Sequence, residues 1–173
     1  IDLGCCWEKG QPTRSTYDLR LPLRIIDEIG LYYAQEFYWY NPSRLPAPAE
    51  WVTIRKERVK DSVNKILWFG KTPHPKACNS RVLQPYSEAM EKKFGRTGES
   101  MRPSGHKPSD TLTTVRNEGS IPSNLIACAN ANASDPYLTY CKANELTPHP
   151  ARFPYQIPEF FIRLLTDPGD LVL

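Results

Sequence analysis

Ser15-Thr-Tyr-Asp-Leu-Arg-Leu-Pro-Leu-Arg-Ile-Ile-Asp-Glu-Ile-Gly30, followed at once by Leu31-Tyr-Tyr-Ala-Gln-Glu-Phe-Tyr-Trp-Tyr40, is the stretch on which the fold turns. Leu19, Leu23, Ile26 and Ile29 recur at helical spacing and define one apolar face. Ser15 is placed to cap the first turn, and Gly30 closes the helix, because helices commonly end on a left-handed residue that glycine adopts without steric cost. Pro22 falls inside the pattern, where its missing N–H weakens the early turns. The ten residues that follow are dense in Tyr, Phe and Trp, side chains that suit a pleated surface, and they read as a strand. Ile1–Gly4, just upstream, reads as the end of another strand. Strand, loop, helix, strand is the pattern of an α/β sheet.

Farther along, Val63–Phe69 reads as a second aromatic-rich strand. The two aromatic strands are expected to pair antiparallel at one edge of the sheet. Their connection, with Pro42, Pro46 and Pro48 and then Arg55, Lys56, Arg58 and Lys60, is long for a structural hairpin and points to a functional loop. Ser87–Phe94 reads as a short helix. Residues 95–123 show no periodicity, and a run of that length in a compact domain is a binding element or disorder. Asp135–Asn144 reads as a helix with Asp135 at its cap and Pro136 at its first position.

Pro148, Pro150, Pro154 and Pro158 then bias the chain to an extended strut that carries His149 and Arg152. Pro158 is expected to open a helix whose apolar face is Phe160, Phe161, Leu164 and Leu165. Asp167–Asp170 forms the stop, and Leu171–Leu173 reads as a strand entering a core. The domain reading is a core over 1–94 with antiparallel edge strands, a loop region over 95–123, and a return to the core over 124–173. Both ends read as interior sequence, so the chain is expected to be incomplete. Such a chain leaves unpaired sheet edges and an apolar helix face, to be covered by self-association or a second chain.

The 173 residues include 17 prolines, and the net charge is only +3. Charge is uneven: between Arg55 and Lys107 there are thirteen Lys/Arg against five Asp/Glu. A basic middle suits a polyanion, or is a solvated surface. No apolar run approaches the roughly 20 residues that span a bilayer, and no signal peptide is visible, so no membrane partner is expected. Five scattered cysteines without a Cys-x-x-Cys pair argue for reduced thiols in a cytoplasmic protein and against a metal site. No Gly-x-Gly-x-x-Gly, phosphate-binding loop or Gly-x-Ser-x-Gly motif occurs. His74 and His106 sit in basic loops, able to donate to phosphates or base edges, or simply solvated. The His149/Arg152 strut could hold an anionic group such as a carboxylate, or be a packed loop.

Several blocks in order resemble one family: Asp2-Leu-Gly, Lys9-Gly-Gln-Pro-Thr-Arg-Ser15, Arg58-Val-Lys-Asp-Ser-Val-Asn64, Trp68-Phe-Gly-Lys-Thr72, Leu83-Gln-Pro-Tyr-Ser87, Arg102-Pro-Ser-Gly-His106, and His149-Pro-Ala-Arg-Phe-Pro154 with Pro158-Glu-Phe-Phe-Ile-Arg-Leu-Leu165. The family is the permuted (β-class) DNA amino methyltransferases of restriction–modification systems, in particular those acting on cytosine N4. The resemblance implies a Rossmann-like mixed sheet of an S-adenosylmethionine-dependent methyltransferase, with an inserted, loop-rich target-recognition region near 95–123. It implies that His149, Arg152, Phe153 and Pro154 lie beside the cofactor. The partner implied is duplex DNA, met by Arg55, Lys56, Arg58, Lys60, His74, Lys76, Arg102, Ser104 and His106.

The family's catalytic Ser or Asp followed by Pro-Pro and an aromatic is not in the chain, and neither is its Gly-rich cofactor loop. No catalytic residue is therefore assigned, and the isolated chain is expected to be inactive. The alternatives are a non-catalytic DNA-binding subunit or remnant of a split enzyme, and methylation of adenine N6.

Overall fold

The computed structural model describes residues 1–4, 6–95, 103–105, 115–132, 134–149 and 152–173. The chain divides into two compact units, one formed by 1–77 with 123–173 and the other by 78–122.

The first unit is built on a mixed sheet of β1 (Asp2–Leu3), β2 (Tyr32–Tyr40), β3 (Val63–Gly70) and β4 (Leu125–Ala127), in the order β1-β3-β2-β4. β3 runs antiparallel to both β1 and β2, while β4 is parallel to β2. Three strands thus point one way and β3 the other. The fold class is the expected mixed α/β. The aromatic pair β2 and β3 is antiparallel, as read, but it forms the middle of this sheet and not an edge, because β1 and β4 flank it. β4 escaped the sequence because it has three residues, only Ile126 of them half-buried. It is held by main-chain bonds, such as Tyr38 N to Asn124 O at 2.8 Å, and by Trp39 Nε1 donating to Cys128 O at 2.9 Å.

Alternation along β2 and β3 sorts the two faces. Phe37, Trp39, Asn64 and Ile66 are buried on one face, with Phe37↔Ile66 and Trp39↔Asn64 in register. α4 (Gln156–Leu165; α1 to α3 are given below) covers this face with buried Ile157 and Leu164. Phe160 and Phe161 meet the Phe37 ring edge-on, with centroids 5.9 and 5.0 Å away, the arrangement that ring quadrupoles favour. Pro158 is the third residue of α4 and not its first. Proline is tolerated there because the early N–H groups of a helix have no intrahelical partner.

The opposite face carries α1 (Tyr17–Arg24), extended by a π-helical turn over Ile25–Ile29. Gly30 ends it at φ +76° with its N–H on Ile26 O, as the sequence implied. The cap differs from the reading: Thr16 precedes the helix without a side-chain cap bond, and the Ser15 N–H goes to Cys6 O. The inward residues also differ. Ile25 and Asp18 are buried, whereas Leu19, Leu23 and Ile29 are 55%, 59% and 67% exposed. A polar contact decides the rotation: Asp18 receives Arg14 and Lys65, each at 3.3 Å, from a loop and from β3.

α3 (Pro136–Ala143) begins as expected, with Asp135 Oδ1 accepting from Tyr137 N at 2.9 Å. Leu171–Leu173 pair with no strand and are exposed. The Asp167–Asp170 turn before them is closed by its own bonds and by Lys76, so nothing feeds the segment into the core. Among the described residues no helix is long and apolar enough to cross a membrane.

The second unit joins a turn of 3-10 helix (Asn79–Val82) and α2 (Glu88–Glu91, capped by Ser87) to a return segment through paired Gln84 and Ser120. Gly119 allows that pairing, since a Cβ there would lie 2.8 Å from Gln84 O. Gly119→Ala is therefore expected to lower the stability of this unit by about 1–3 kcal/mol. Faster hydrogen exchange at the Gln84 and Ser120 amides is the check.

Candidate functional site

Because β1, β2 and β4 are mutually parallel, their carboxyl ends share one end of the sheet. The segments leaving them are 4–16, 41–62 and 128–135. Ligands of open α/β sheets bind outside such carboxyl ends.

Segment 4–16 folds back on itself, with Trp7 bridged to Arg14 and Glu8 N on Thr13 O at 3.0 Å. Arg58, from 41–62, lies over it. Its guanidinium carbon is 3.8 Å from the centroid of the Trp7 ring, it donates to Pro12 O, and it faces Asp61 at 3.8 Å. The group expected to touch DNA is thus engaged in holding two loops together. Arg58→Ala is expected to cost about 2 kcal/mol, from the lost cation–π contact and a carbonyl left without its donor. Arg58→Lys does not restore it, since an ammonium cannot both stack and fork. Thermal melting with Trp7 emission reads both variants.

Asp2 is the first residue of β1, opposite Ile66 of β3. Arg44 Nη1 donates to Asn64 Oδ1 at 2.8 Å, and a guanidinium can only donate, so the amide is oriented with Nδ2 turned to Asp2 Oδ2 at 3.2 Å. The other oxygen, Asp2 Oδ1, is buried and has no hydrogen-bond partner among the described residues. Burial pushes the Asp2 carboxyl above its ordinary range, while the Asn64 bond works against that. Asp2 lines a cavity of about 650 Å³, whose walls include Ile66, Phe153, Ile157 and Phe161. A buried acceptor facing a cavity is a place for a donor. The sequence carried a sign of it, a charged residue within a short strand that leads into a core.

Of the cofactor candidates, Phe153 lines the same cavity and lies 5.8 Å from the Trp39 ring. Pro154 is buried, and its carbonyl accepts Ile157 N at the start of α4. Arg152 is half-buried, and the exposed His149 donates its backbone N–H to Tyr137 Oη at 3.0 Å.

Among the DNA candidates, Arg55, Lys56, Arg58 and Lys60 all sit in 41–62, at the carboxyl end of β2. Arg55 pairs with Glu50 at 2.7 Å and stacks 5.0 Å over Trp51. Lys56 is exposed at φ +59°. Lys60 Nζ donates to Arg44 O at 3.1 Å and Pro42 O at 3.5 Å. His74 and Lys76 follow β3 and so leave the opposite end of the sheet. His74 is exposed, and Lys76 is tied to Asp167 at 2.6 Å and to Asp170. Sequence proximity suggested one basic surface; the antiparallel turn of β3 separates it. Ser104 is exposed in a turn of the second unit, and Arg102 and His106 lie outside the described residues. That unit also has Arg116 stacked 5.4 Å over Phe94 and paired with Glu91 at 2.8 Å. Beside it is a cavity of about 480 Å³ lined by Tyr86, Met90, Val115, Asn117, Ser120 and Ile121.

The model of a family described as DNA methylase matches residues 6–173. The chain belongs to the DNA methylase family. It is 47% identical over 177 residues to the type II methyltransferase M.PvuII of Proteus hauseri, a match that takes in all of this chain and 52% of that protein. Its fold is similar to the solved structure of PvuII DNA methyltransferase (cytosine-N4-specific), with a TM-score of 0.70 and 40% identity, over 98% of this chain and 48% of the other. The chain thus spans about half the length of these relatives.

Proposed function

We propose that this chain is the part of a cytosine-N4 DNA methyltransferase that carries one wall of the active site, part of the S-adenosylmethionine site and the DNA-reading unit. What supports this above all is the match along the whole chain to a cytosine-N4-specific enzyme. The structure offers one feature beside that match: a buried carboxylate oxygen without a hydrogen-bond partner among the described residues, on a residue that shares a cavity with an aromatic side chain.

The residues present fit the cofactor. Phe153 offers an apolar ring face at the cavity, and Arg152 and His149 bring donors for a carboxylate on the strut that leads to α4. When bound, S-adenosylmethionine supplies an electrophilic methyl group on a positively charged sulfur. The protein's own task is to present a nucleophile. A cytosine amino group is unreachable inside the stack, so the base must be extruded. In the cavity, Asp2 Oδ1 accepts an N–H of that amino group, which orients it and raises electron density on its nitrogen. The Arg44–Asn64 relay keeps the carboxylate aimed. Lys56 and Lys60 contribute sequence-independent attraction to phosphates, and residues 95–123, all but the last of them in the compact unit 78–122, read base edges.

DNA from cells expressing the complete gene, digested to nucleosides, should contain N4-methylcytosine; N6-methyladenine in its place would overturn the cytosine reading. The 173-residue chain alone should bind duplex DNA with affinity that falls steeply with salt, and transfer no methyl group. Methylation by this chain alone would overturn the division of labour. Lys56→Ala should reduce the log–log salt slope by about one, whereas Arg58→Ala should leave it nearly unchanged.

A further inference from the structure

α1 with its π-helical turn has three distinct sides. Asp18 and Ile25 are buried, and Asp18 meets Lys65 of β3, which fixes the side that faces the sheet. Leu19, Leu23 and Ile26 share a second side, centred about 120° round the helix at 3.6 residues per turn, and all three are exposed. Arg20, Arg24, Asp27 and Glu28, also exposed, take the third, with Arg24 Nε on Glu28 Oε1 at 2.7 Å. A helix with two packing sides and one charged side is built for two neighbours and water. The sheet is one neighbour. Among the described residues nothing covers the second side.

The position of this stripe and the charges beside it select the occupant. A contact so far round from the sheet-facing side belongs to an element lying beside α1 in the same layer, and the element that fills such a layer on a sheet face is a helix. The two arginines are balanced by the two acids next to them, so the surface holds no cationic surplus for nucleic acid. The relatives named above are about twice as long as this chain, which covers 52% and 48% of them. A complete protein of that length carries about as much chain again, tethered to α1 at an effective concentration on the order of millimolar. A second copy at micromolar concentration competes poorly with a tethered segment.

We infer that Leu19, Leu23 and Ile26 are the contact of α1 with a second amphipathic helix, which belongs to the part of the complete protein outside residues 1–173 and lies beside α1 on the same face of the sheet. The two helices close over the stripe as the ridges of one enter the grooves of the other. This contact holds whether or not the complete protein methylates DNA. In the 173-residue chain the stripe is open to water, so truncating Leu23 there costs little.

The test is made on the complete protein. A thiol is placed on the stripe by Leu23→Cys or, as a control on the charged side, by Arg20→Cys. Each is labelled with iodoacetamide under native conditions, and its own peptide is followed by mass spectrometry. The Leu23→Cys thiol should react about tenfold more slowly than the Arg20→Cys thiol, or slower still, because labelling must wait for local opening. Leu23→Ala should lower the melting temperature by about 5 °C or more, the scale of truncating a covered leucine in a large domain. Arg20→Ala should leave it within about 2 °C. None of these results should depend on protein concentration. Equal labelling of the two thiols, or a melting temperature that Leu23→Ala does not move, would leave the stripe in water and overturn the contact. Protection that disappears on dilution, together with a dimer in sedimentation, would give the stripe to a second copy and overturn it as well.

Discussion

Phe37→Ala is expected to cost about 4 kcal/mol, the scale of burying a small residue where a large ring stood. Phe37 is 3% exposed at the centre of β2, opposite Ile66, and both Phe160 and Phe161 of α4 meet it edge-on. Truncation removes the transfer energy of the ring, two aromatic contacts worth about 0.5–1.5 kcal/mol each, and leaves a void that the hydrogen-bonded strands cannot collapse into. Domains are stable by only about 5–15 kcal/mol, so a large part of the margin disappears. In urea the midpoint should fall with the slope unchanged. Phe37→Leu should lose less, about 1.5 kcal/mol. Leu23→Ala, on the exposed side of α1, should stay within about 0.5 kcal/mol. If Phe37→Ala were no worse than Leu23→Ala, the α4 face would not be the core.

These variants also mark where local sequence signals stopped being sufficient. The helix closed by Gly30, the Asp135 cap and the two aromatic strands were legible because each depends on neighbours in sequence: a positive φ, an N–H two residues on, an aromatic run. The inward face of α1 was not, because hydrophobic spacing chose Leu19 and Leu23 while the structure buries Asp18 against Lys65 of β3. β4 and the exposed Leu171–Leu173 show the same limit, since pairing partners decide whether three apolar residues make a strand. At the site, charge marked Arg55–Lys60 as a basic stretch but could not separate Lys56, exposed, from Arg58, stacked on Trp7. Phe153 was reached through family resemblance, and it lines the cavity that Asp2 also lines. Asp2 was not singled out, because what marks it is a buried oxygen without a partner among the described residues, which spacing does not reveal.

Asp2→Asn is expected to move stability and function in opposite directions. Burial makes the carboxyl harder to ionise in the folded chain than in the unfolded one, whose ordinary value is 3.8. A group with a raised folded pKa favours the fold when protonated, so stability is lost as pH rises through that pKa and stays lost above it. Asparagine carries no such charge. The variant should therefore be more stable than wild type near pH 7, and the advantage should fade as the pH falls below the unfolded value of 3.8, where Asp2 is protonated in both states. Urea melts at the two pH values read this directly. The amide can still accept from Asn64 through its oxygen, but then its NH2 faces the cavity, where Asp2 Oδ1 stood. A donor there opposes an amino group instead of accepting from it. In the complete enzyme the methylation rate should fall about a hundredfold or more, the scale of removing one aimed polar group from a transition state. The fall should appear in kcat with little change in the KM for DNA, since Lys56 and Lys60 are untouched. Greater stability with unimpaired methylation would make the unpaired oxygen a packing defect; lower stability at pH 7 would mean that Asp2 holds the end of β1 in place.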